Sequence, residues 1–171
     1  MSDRIYFNND NNSARYALGT KGDKTLFCLG INPSRATPSV PDPTIRKIEA
    51  ITKCNGYDSY VMFNVYPVRD KDVTKLSKYI DTEEHAKNLE IISQITSNYN
   101  DIHIWAAFGN CIYDKKYLSI CLKDIYTILS DRKVTWLATG VNKSGCPKHP
   151  LYQKKTSSLM RFNMSEFINT L

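Results

Sequence analysis

Four short apolar segments alternate with longer segments in which apolar residues recur every three or four positions. The short segments are almost continuously apolar, which is typical of strands that are buried on both faces of a parallel sheet. They span residues 25–31, 60–65, 102–108 and 134–138. An additional short strand is predicted near residues 14–18.

The segments between these strands have helical periodicity. Ile45, Ile48 and Ile51 share one helix face, and Asp42 and Pro43 before them supply an N-cap and a proline at the first helical position. Further helices are predicted over residues 82–95, 113–129 and 159–168. Because strands that alternate with helices pair in parallel through right-handed crossovers, we expect a three-layer α/β/α fold around a central, mainly parallel four-stranded sheet.

Length and composition place the chain among globular proteins. Its 171 residues predict a single domain over residues 1–171. No apolar run approaches the roughly 20 residues of a membrane span, so no membrane partner is expected. The first residues lack the apolar centre of a secretory signal, and a cytoplasmic location is therefore expected.

Charge and cysteine content narrow the classes of partner and site. The chain has 23 Lys and Arg against 17 Asp and Glu, a net charge of +6, which permits a polyanion such as nucleic acid as partner and equally fits a basic surface that aids solubility. The five cysteines are widely spaced without a C-x-x-C motif, so we expect reduced thiols and no metal site.

Polar residues and turn formers concentrate where the predicted strands end, in segments 30–34, 64–69, 109–110 and 140–152. Parallel open sheets bind ligands beyond the carboxyl ends of their strands. Asn64 ends an apolar strand, and its amide needs partners there or costs about 1–3 kcal/mol. A structural and a functional role are both open for Asn64.

Three of these segments resemble motifs of the uracil-DNA glycosylase superfamily. Residues 30–33 (GINP) resemble the first motif, close to its form in thymine-DNA glycosylases. Residues 63–69 are similar to the second-strand segment, and residues 149–152 (HPLY) resemble the loop that inserts into DNA. Over nearly the whole chain, the sequence also resembles an uncharacterised bacterial and phage family, whose shared positions are residues 15–18, 32–34 and 147–152 with Asp42, Pro43, Thr44, Asn64 and Arg69.

The resemblance implies a DNA glycosylase that hydrolyses the N-glycosidic bond of a flipped-out uracil, or of a related deaminated or modified base, without metal or cofactor. Asn32 would position the water, and His149 would donate a hydrogen bond to base O2 as negative charge develops. Asn64 would donate to O4 and accept from N3–H, a pattern that rejects cytosine. The remaining base-binding positions are Gly30, Ile31, Phe63 and Tyr66.

The resemblance also implies contact with single- or double-stranded DNA. Leu151 or Tyr152 would fill the space that the flipped base leaves. Lys143 and Lys148, with Lys154 and Lys155, flank this loop and can grip phosphates, although a solvated basic loop has the same composition. The predicted DNA-binding set is Ser34, Lys143, Lys148, Pro150, Leu151 and Tyr152. A DNA-mimicking inhibitor protein is a further partner that the resemblance suggests.

The chain departs from the superfamily pattern at two places. Ser34 stands where the efficient uracil enzymes have an aromatic residue that excludes thymine. Residues 35–42 contain no aromatic to stack on the base, and Phe63, Tyr66 and Phe108 are the substitutes that the sequence leaves open. Asp42 and Arg69 match the pattern of the closer family. Asp42 would cap a helix, and Arg69 would bind a phosphate or form a structural ion pair.

Two alternative functions remain open from the sequence. One is an enzyme of the same fold that acts on free or modified nucleotides. The other is a nucleic-acid-binding module that has kept the pocket and lost the chemistry.

Overall fold

Seven strands form one mixed sheet in the computed structural model, which describes residues 4–171. The strand order across the sheet is β1-β2-β4-β3-β5-β6-β7. The strands are β1 (Arg4–Asn8), β2 (Arg15–Thr20), β3 (Thr25–Gly30), β4 (Ser59–Asn64), β5 (Ile102–Ala106), β6 (Val134–Ala138) and β7 (Met160–Arg161).

The expected four-stranded, mainly parallel sheet is wrong. Strands β4, β3, β5 and β6 do pair in parallel, but β1 with β2, β2 with β4, and β6 with β7 pair antiparallel. The strand predicted near residues 14–18 is β2, which extends the sheet beyond β4. Strands β1 and β7 were missed because β1 is only half-buried and the two residues of β7 are exposed, so neither has a continuous apolar run.

Four α-helices connect or flank the strands: α1 (Pro43–Cys54), α2 (Thr82–Thr96), α3 (Lys116–Ile128) and α4 (Met164–Thr170). Asp42 caps α1 as expected, since its Oδ1 accepts from the amide of Ile45 at 2.9 Å. The helix predicted from residue 113 starts later, because residues 109–113 form a 3₁₀ turn. The prediction over residues 159–168 is wrong in its first half, where β7 lies.

The helices pack on both faces of the sheet, and each face has its own buried cluster. Ile45, Ile48 and Ile51 of α1 pack with Met62 and other residues on one face. On the other face, helices α2, α3 and α4 pack against a larger cluster that contains Phe63. Alternate residues of β4 therefore face opposite sides of the sheet, as the two-residue period of a strand requires.

The connections that follow β3 and β5 lead toward opposite edges of the sheet. Helix α1 leads from β3 to β4, and α3 leads from β5 to β6 on the other side of β3. Adjacent parallel strands with such diverging connections leave a crevice between their carboxyl ends, the usual ligand position in open α/β sheets. None of the helices within residues 4–171 is long and apolar enough to cross a membrane.

The unpredicted β2–β4 pairing can be tested at Gly19. A Cβ at this position would overlap the carbonyl oxygen of Tyr60 and lie 2.8 Å from Cα of Val61. Because a backbone cannot move aside cheaply, we expect Gly19→Ala to lower the free energy of unfolding in urea by about 3 kcal/mol. Thr20→Ala on the same strand is the control, and a loss of stability no larger than the control's would contradict the pairing.

Candidate functional site

A cavity of about 770 Å³ opens at the carboxyl ends of β3, β4 and β5. Its wall is made of the loop after β3, the start of α1, the turn after β5 and the segment that follows β6. It is also lined by Asn32 in the loop after β3, by Asn64 at the end of β4 and by His149 in the segment after β6. The three side chains that the sequence analysis singled out for base hydrolysis therefore share one cavity.

Asn64 is fully buried, yet neither polar atom of its side chain has a hydrogen-bond partner within residues 4–171. Its backbone is held firmly, since Nδ2 of Asn88 in α2 donates to the Asn64 carbonyl at 2.9 Å. A buried amide with both polar atoms unpaired costs free energy that a bound ligand can return. The arrangement favours ligand binding over a structural role for this side chain.

Gly30 lets two neighbouring side chains pack close to the β3 backbone. It is paired with Asn64 in the parallel register of β3 and β4. A Cβ at Gly30 would overlap Cε of Met62 and lie 3.0 Å from Oδ1 of Asn64. The absence of a side chain here therefore makes room for Met62 and for the Asn64 amide, which both line the cavity.

Asn32 is oriented by the loop after β4. Its Nδ2 donates to the carbonyl oxygens of Asp70 at 3.0 Å, and of Val68 and Pro33 at 3.3 Å each. Three carbonyl acceptors fix the amide nitrogen on the loop side, so Oδ1 remains as the acceptor without a partner among the described residues. An acceptor held in this way can position a water molecule.

His149 presents a donor to the cavity. Its Nδ1 accepts from the amide of Leu151 at 3.2 Å, which places the proton of a neutral ring on Nε2. Burial lowers the pKa of His149, and the nearby Asp42 carboxylate only partly offsets this effect. Gly109, whose φ is +64°, packs against His149, because a Cβ at Gly109 would lie 3.2 Å from the Cβ of His149. At neutral pH the side chain is an uncharged N–H donor.

Helix α1 anchors the segment that carries His149. Lys47 Nζ donates to the carbonyl of Gln153 at 2.5 Å. Asn55 bonds the same segment twice, since its Nδ2 donates to the Ser157 carbonyl and its Oδ1 accepts from the Leu159 amide, both at 2.9 Å. These contacts between distant parts of the chain hold the residue 149–152 loop over the cavity.

The predicted DNA-binding residues divide between the cavity and the surface. Leu151 and Tyr152 line the cavity and have 40% and 82% of their surface exposed. Ser34 and Lys148 also line the cavity, whereas Lys143 is exposed outside its wall and Pro150 is buried beneath the loop.

Of the three aromatic residues left open as stacking partners, only Phe108 lines the cavity. Phe63 is buried on the opposite face of the sheet from Asn64, stacked on Phe27 at 5.5 Å. Tyr66 is buried in the same cluster, where its hydroxyl accepts from the Asp81 amide at 2.9 Å. Phe63 and Tyr66 do not fit a base-binding role, because the two-residue strand period and the turn after β4 direct both rings into the core.

Four of the other motif residues line the cavity, and Arg69 does not. Gly30, Ile31, Asp42 and Thr44 line the cavity. Arg69 lies outside its wall and bonds the loop after β3, where its Nη1 donates to the Ser34 carbonyl at 2.6 Å. No carboxylate pairs with Arg69 among the described residues. It supports the loop that carries Asn32 and Ser34.

Arg15 is one of the cavity residues that the site prediction missed. It is 2% exposed and lines the cavity from the start of β2. The sequence did contain a signal, because Arg15 begins a segment shared with the closer family, but an arginine beside an apolar strand is usually at the surface. Within residues 4–171, no group of three or more His, Cys, Asp and Glu side chains can hold a metal ion.

A scan against protein-family models matched residues 15–151 to the family described as "Protein of unknown function (DUF1643)". The chain belongs to the DUF1643 family. The comparisons with curated proteins and with solved structures gave no match. The DUF1643 match begins at Arg15 and ends at Leu151, so its two limits coincide with residues that line the cavity.

The protonation state of His149 can be measured directly. We expect long-range ¹H–¹⁵N spectra at pH 7 to give the neutral ring with its proton on Nε2, and its titration midpoint to lie below 6.5. As the pH falls below 6.5, the unfolded chain takes up this proton before the folded chain does. The free energy of unfolding should therefore decrease over this pH range. Loss of the signals in His149→Gln assigns them; a proton on Nδ1, or a midpoint above 6.5, would contradict the expected geometry.

Proposed function

We propose that the protein is a DNA glycosylase that hydrolyses the N-glycosidic bond of uracil, or of a related deaminated or modified base, in DNA. The observation that carries the proposal is the convergence of Asn32, Asn64 and His149 on one cavity. Each of the three has a polar atom without a partner among residues 4–171, and the three atoms match the needs of this hydrolysis. A cytoplasmic site of action fits this substrate.

The proposed reaction needs a water and a stabilised leaving group. Oδ1 of Asn32 accepts from the water that attacks C1′ of the sugar, while the bond from C1′ to the base nitrogen breaks and the electron pair leaves with the base. Nε2–H of His149 donates to the base oxygen on which negative charge grows. An amide does not take up a proton, so the proton of the attacking water is released to solvent.

The structure also explains why an amide occupies position 32. Its Nδ2 faces the carbonyl oxygens of Pro33, Val68 and Asp70. A carboxylate in its place would direct an anionic oxygen at these three acceptors, which is electrostatically unfavourable. The local backbone therefore selects asparagine, and the proposed chemistry proceeds without a true general base at this position.

Asn64 supplies base selection in the proposed enzyme. Its unpaired Nδ2 and Oδ1 match the O4 acceptor and the N3–H donor of uracil. At the mouth of the cavity, exposed Leu151 and Tyr152 are placed to enter the base stack, and Lys148 lies beside them. These features support a substrate that is a nucleotide turned out of DNA.

A second candidate is an enzyme of this kind that acts on free or modified nucleotides. The buried Arg15 in the cavity wall favours it, because a guanidinium matches a phosphate. The exposed Leu151 and Tyr152 favour DNA instead.

The proposal is tested with oligonucleotides that contain one uracil, single-stranded and paired, incubated with protein and then with hot alkali. We expect strand cleavage at the uracil, and His149→Ala to reduce the single-turnover rate by about 10²–10³ with little change in DNA affinity. Lys87→Ala, at an exposed lysine of α2 outside the cavity, is the control. Salt-sensitive binding without cleavage would favour a binding module, and release of base from free nucleotides alone would favour the second candidate.

Asn64→Asp tests base selection. A carboxyl group buried here is protonated, so its O–H can donate to N3 of cytosine and its carbonyl oxygen can accept from the cytosine amine. We expect excision to extend to cytosine, measured as the ratio of cytosine to uracil cleavage. The matched variant Asn169→Asp, on the exposed end of α4, should leave the ratio unchanged. An unchanged ratio in Asn64→Asp would argue against base reading by this residue.

A further inference from the structure

The guanidinium of Arg15 is buried in the cavity wall with most of its donors unused. Nη1 donates to the Ala36 carbonyl at 3.2 Å, while Nε is buried with no partner. Nη2 makes no hydrogen bond to another residue between positions 4 and 171. Arginine has five N–H donors, so this environment satisfies only a small part of the group.

The bond to Ala36 does not explain the burial. The same carbonyl already accepts from Nη1 and Nη2 of Arg69, each at 3.3 Å. A carbonyl oxygen has two lone pairs, so the loop after β3 is held at Ala36 without Arg15. A purely structural role therefore leaves the position of Arg15 without a reason.

No ion pair among the described residues balances the charge of Arg15. None of the ion pairs within residues 4–171 includes it, and the neighbouring Arg69 adds a second positive charge. Asp42 attracts it from beyond ion-pair distance, and Oδ1 of that carboxylate is occupied as the cap of α1. Burial and Arg69 together lower the pKa of Arg15 to about 10, so the group stays charged at neutral pH.

Burying a cation without a counter-ion costs free energy, and proteins retain such a cation where a ligand supplies the counter-ion. Two carboxylates line the cavity, but Asp42 caps α1 and Asp70 accepts from the Asp72 amide at 2.9 Å. Arg35 and Lys148 line the cavity as well, so its wall carries more positive than negative charge.

We propose that Arg15 binds an oxyanion group, a carboxylate or a phosphate, on the ligand that occupies the cavity. This inference rests on the proposed function and specifies its substrate class: a nucleotide, or a base with an acidic substituent, in place of plain uracil. A guanidinium offers two parallel N–H donors to such a group, and its burial strengthens the pair. The volume of about 770 Å³ has room for more than a pyrimidine ring.

The test compares neutral and anionic ligands by isothermal titration calorimetry, independently of excision. One arm compares deoxyuridine with deoxyuridine 5′-monophosphate, and the other compares uracil-5-carboxamide with uracil-5-carboxylate. We expect the anionic member of at least one pair to bind about tenfold to 100-fold more tightly, and the pair that responds identifies the source of the oxyanion. Equal affinities within both pairs would overturn the proposal.

Arg15→Met separates ligand binding from folding. Because it removes a buried unpaired charge, the ligand-free variant should melt at or above the wild-type temperature while the preference for the anionic ligand disappears. Arg15→Lys should keep part of the preference, and Arg161→Gln, which removes an exposed arginine on β7, should keep all of it. A strongly lowered melting temperature in Arg15→Met with an unchanged preference in the folded protein would overturn the assignment.

The outcomes also separate this inference from the proposed function. Excision of uracil with no preference for anionic ligands would leave the glycosylase proposal standing and remove the role of Arg15. Tight, Arg15-dependent binding of the anionic ligands without base release from any substrate would support the oxyanion site and contradict the glycosylase proposal.

Discussion

The rest of the site depends on one constraint: Asn64 is fully buried at the end of β4, and neither polar atom of its side chain has a partner among residues 4–171. Leaving such a group without partners costs about 1–3 kcal/mol. The backbone around it cannot relax to relieve this cost, because Asn88 holds the Asn64 carbonyl and the next amide, that of Val65, donates to Gly30 at 2.8 Å. The missing side chain of Gly30 makes room beside β3 for this amide.

The diverging connections of β3 and β5 create the crevice, and α1 closes one side of it. The same helix places Asp42 at the cavity and anchors the segment after β6 through Lys47 and Asn55. His149 therefore reaches the cavity through contacts between parts of the chain about a hundred residues apart in sequence. A change in the packing of α1 would displace Asp42 and His149 together, which makes this helix the platform of the site.

Local pattern predicted the parts of the fold that are buried on both faces. Strands β3 to β6 and the cap of α1 follow from continuous apolar runs and from the Asp42-Pro43 pair. Strands β1 and β7 pair at the edges through backbone hydrogen bonds, which impose no apolar run on the sequence. The expected sheet was wrong for this reason.

For the site, motif order was sufficient to group Asn32, Asn64 and His149, because strand exits meet at one edge of a sheet. The direction of a side chain was not predictable in the same way. Phe63 precedes Asn64 by one residue and therefore faces the other side of the sheet. Arg15 was missed because its burial depends on β2 lying beside β4, a pairing that no local pattern encodes.

The types of the polar atoms at three cavity side chains limit what can bind beside them. Nδ2 of Asn64, Nε2–H of His149 and the guanidinium of Arg15 all donate, whereas the Oδ1 atoms of Asn32 and Asn64 accept. A ligand rich in oxygen acceptors satisfies these groups best. The charges of the two side chains also differ. Burial keeps His149 neutral, so its hydrogen bond strengthens most when negative charge develops on a base oxygen. Arg15 stays cationic and therefore suits a group that is anionic throughout the reaction. The two donors therefore discriminate between developing and permanent negative charge.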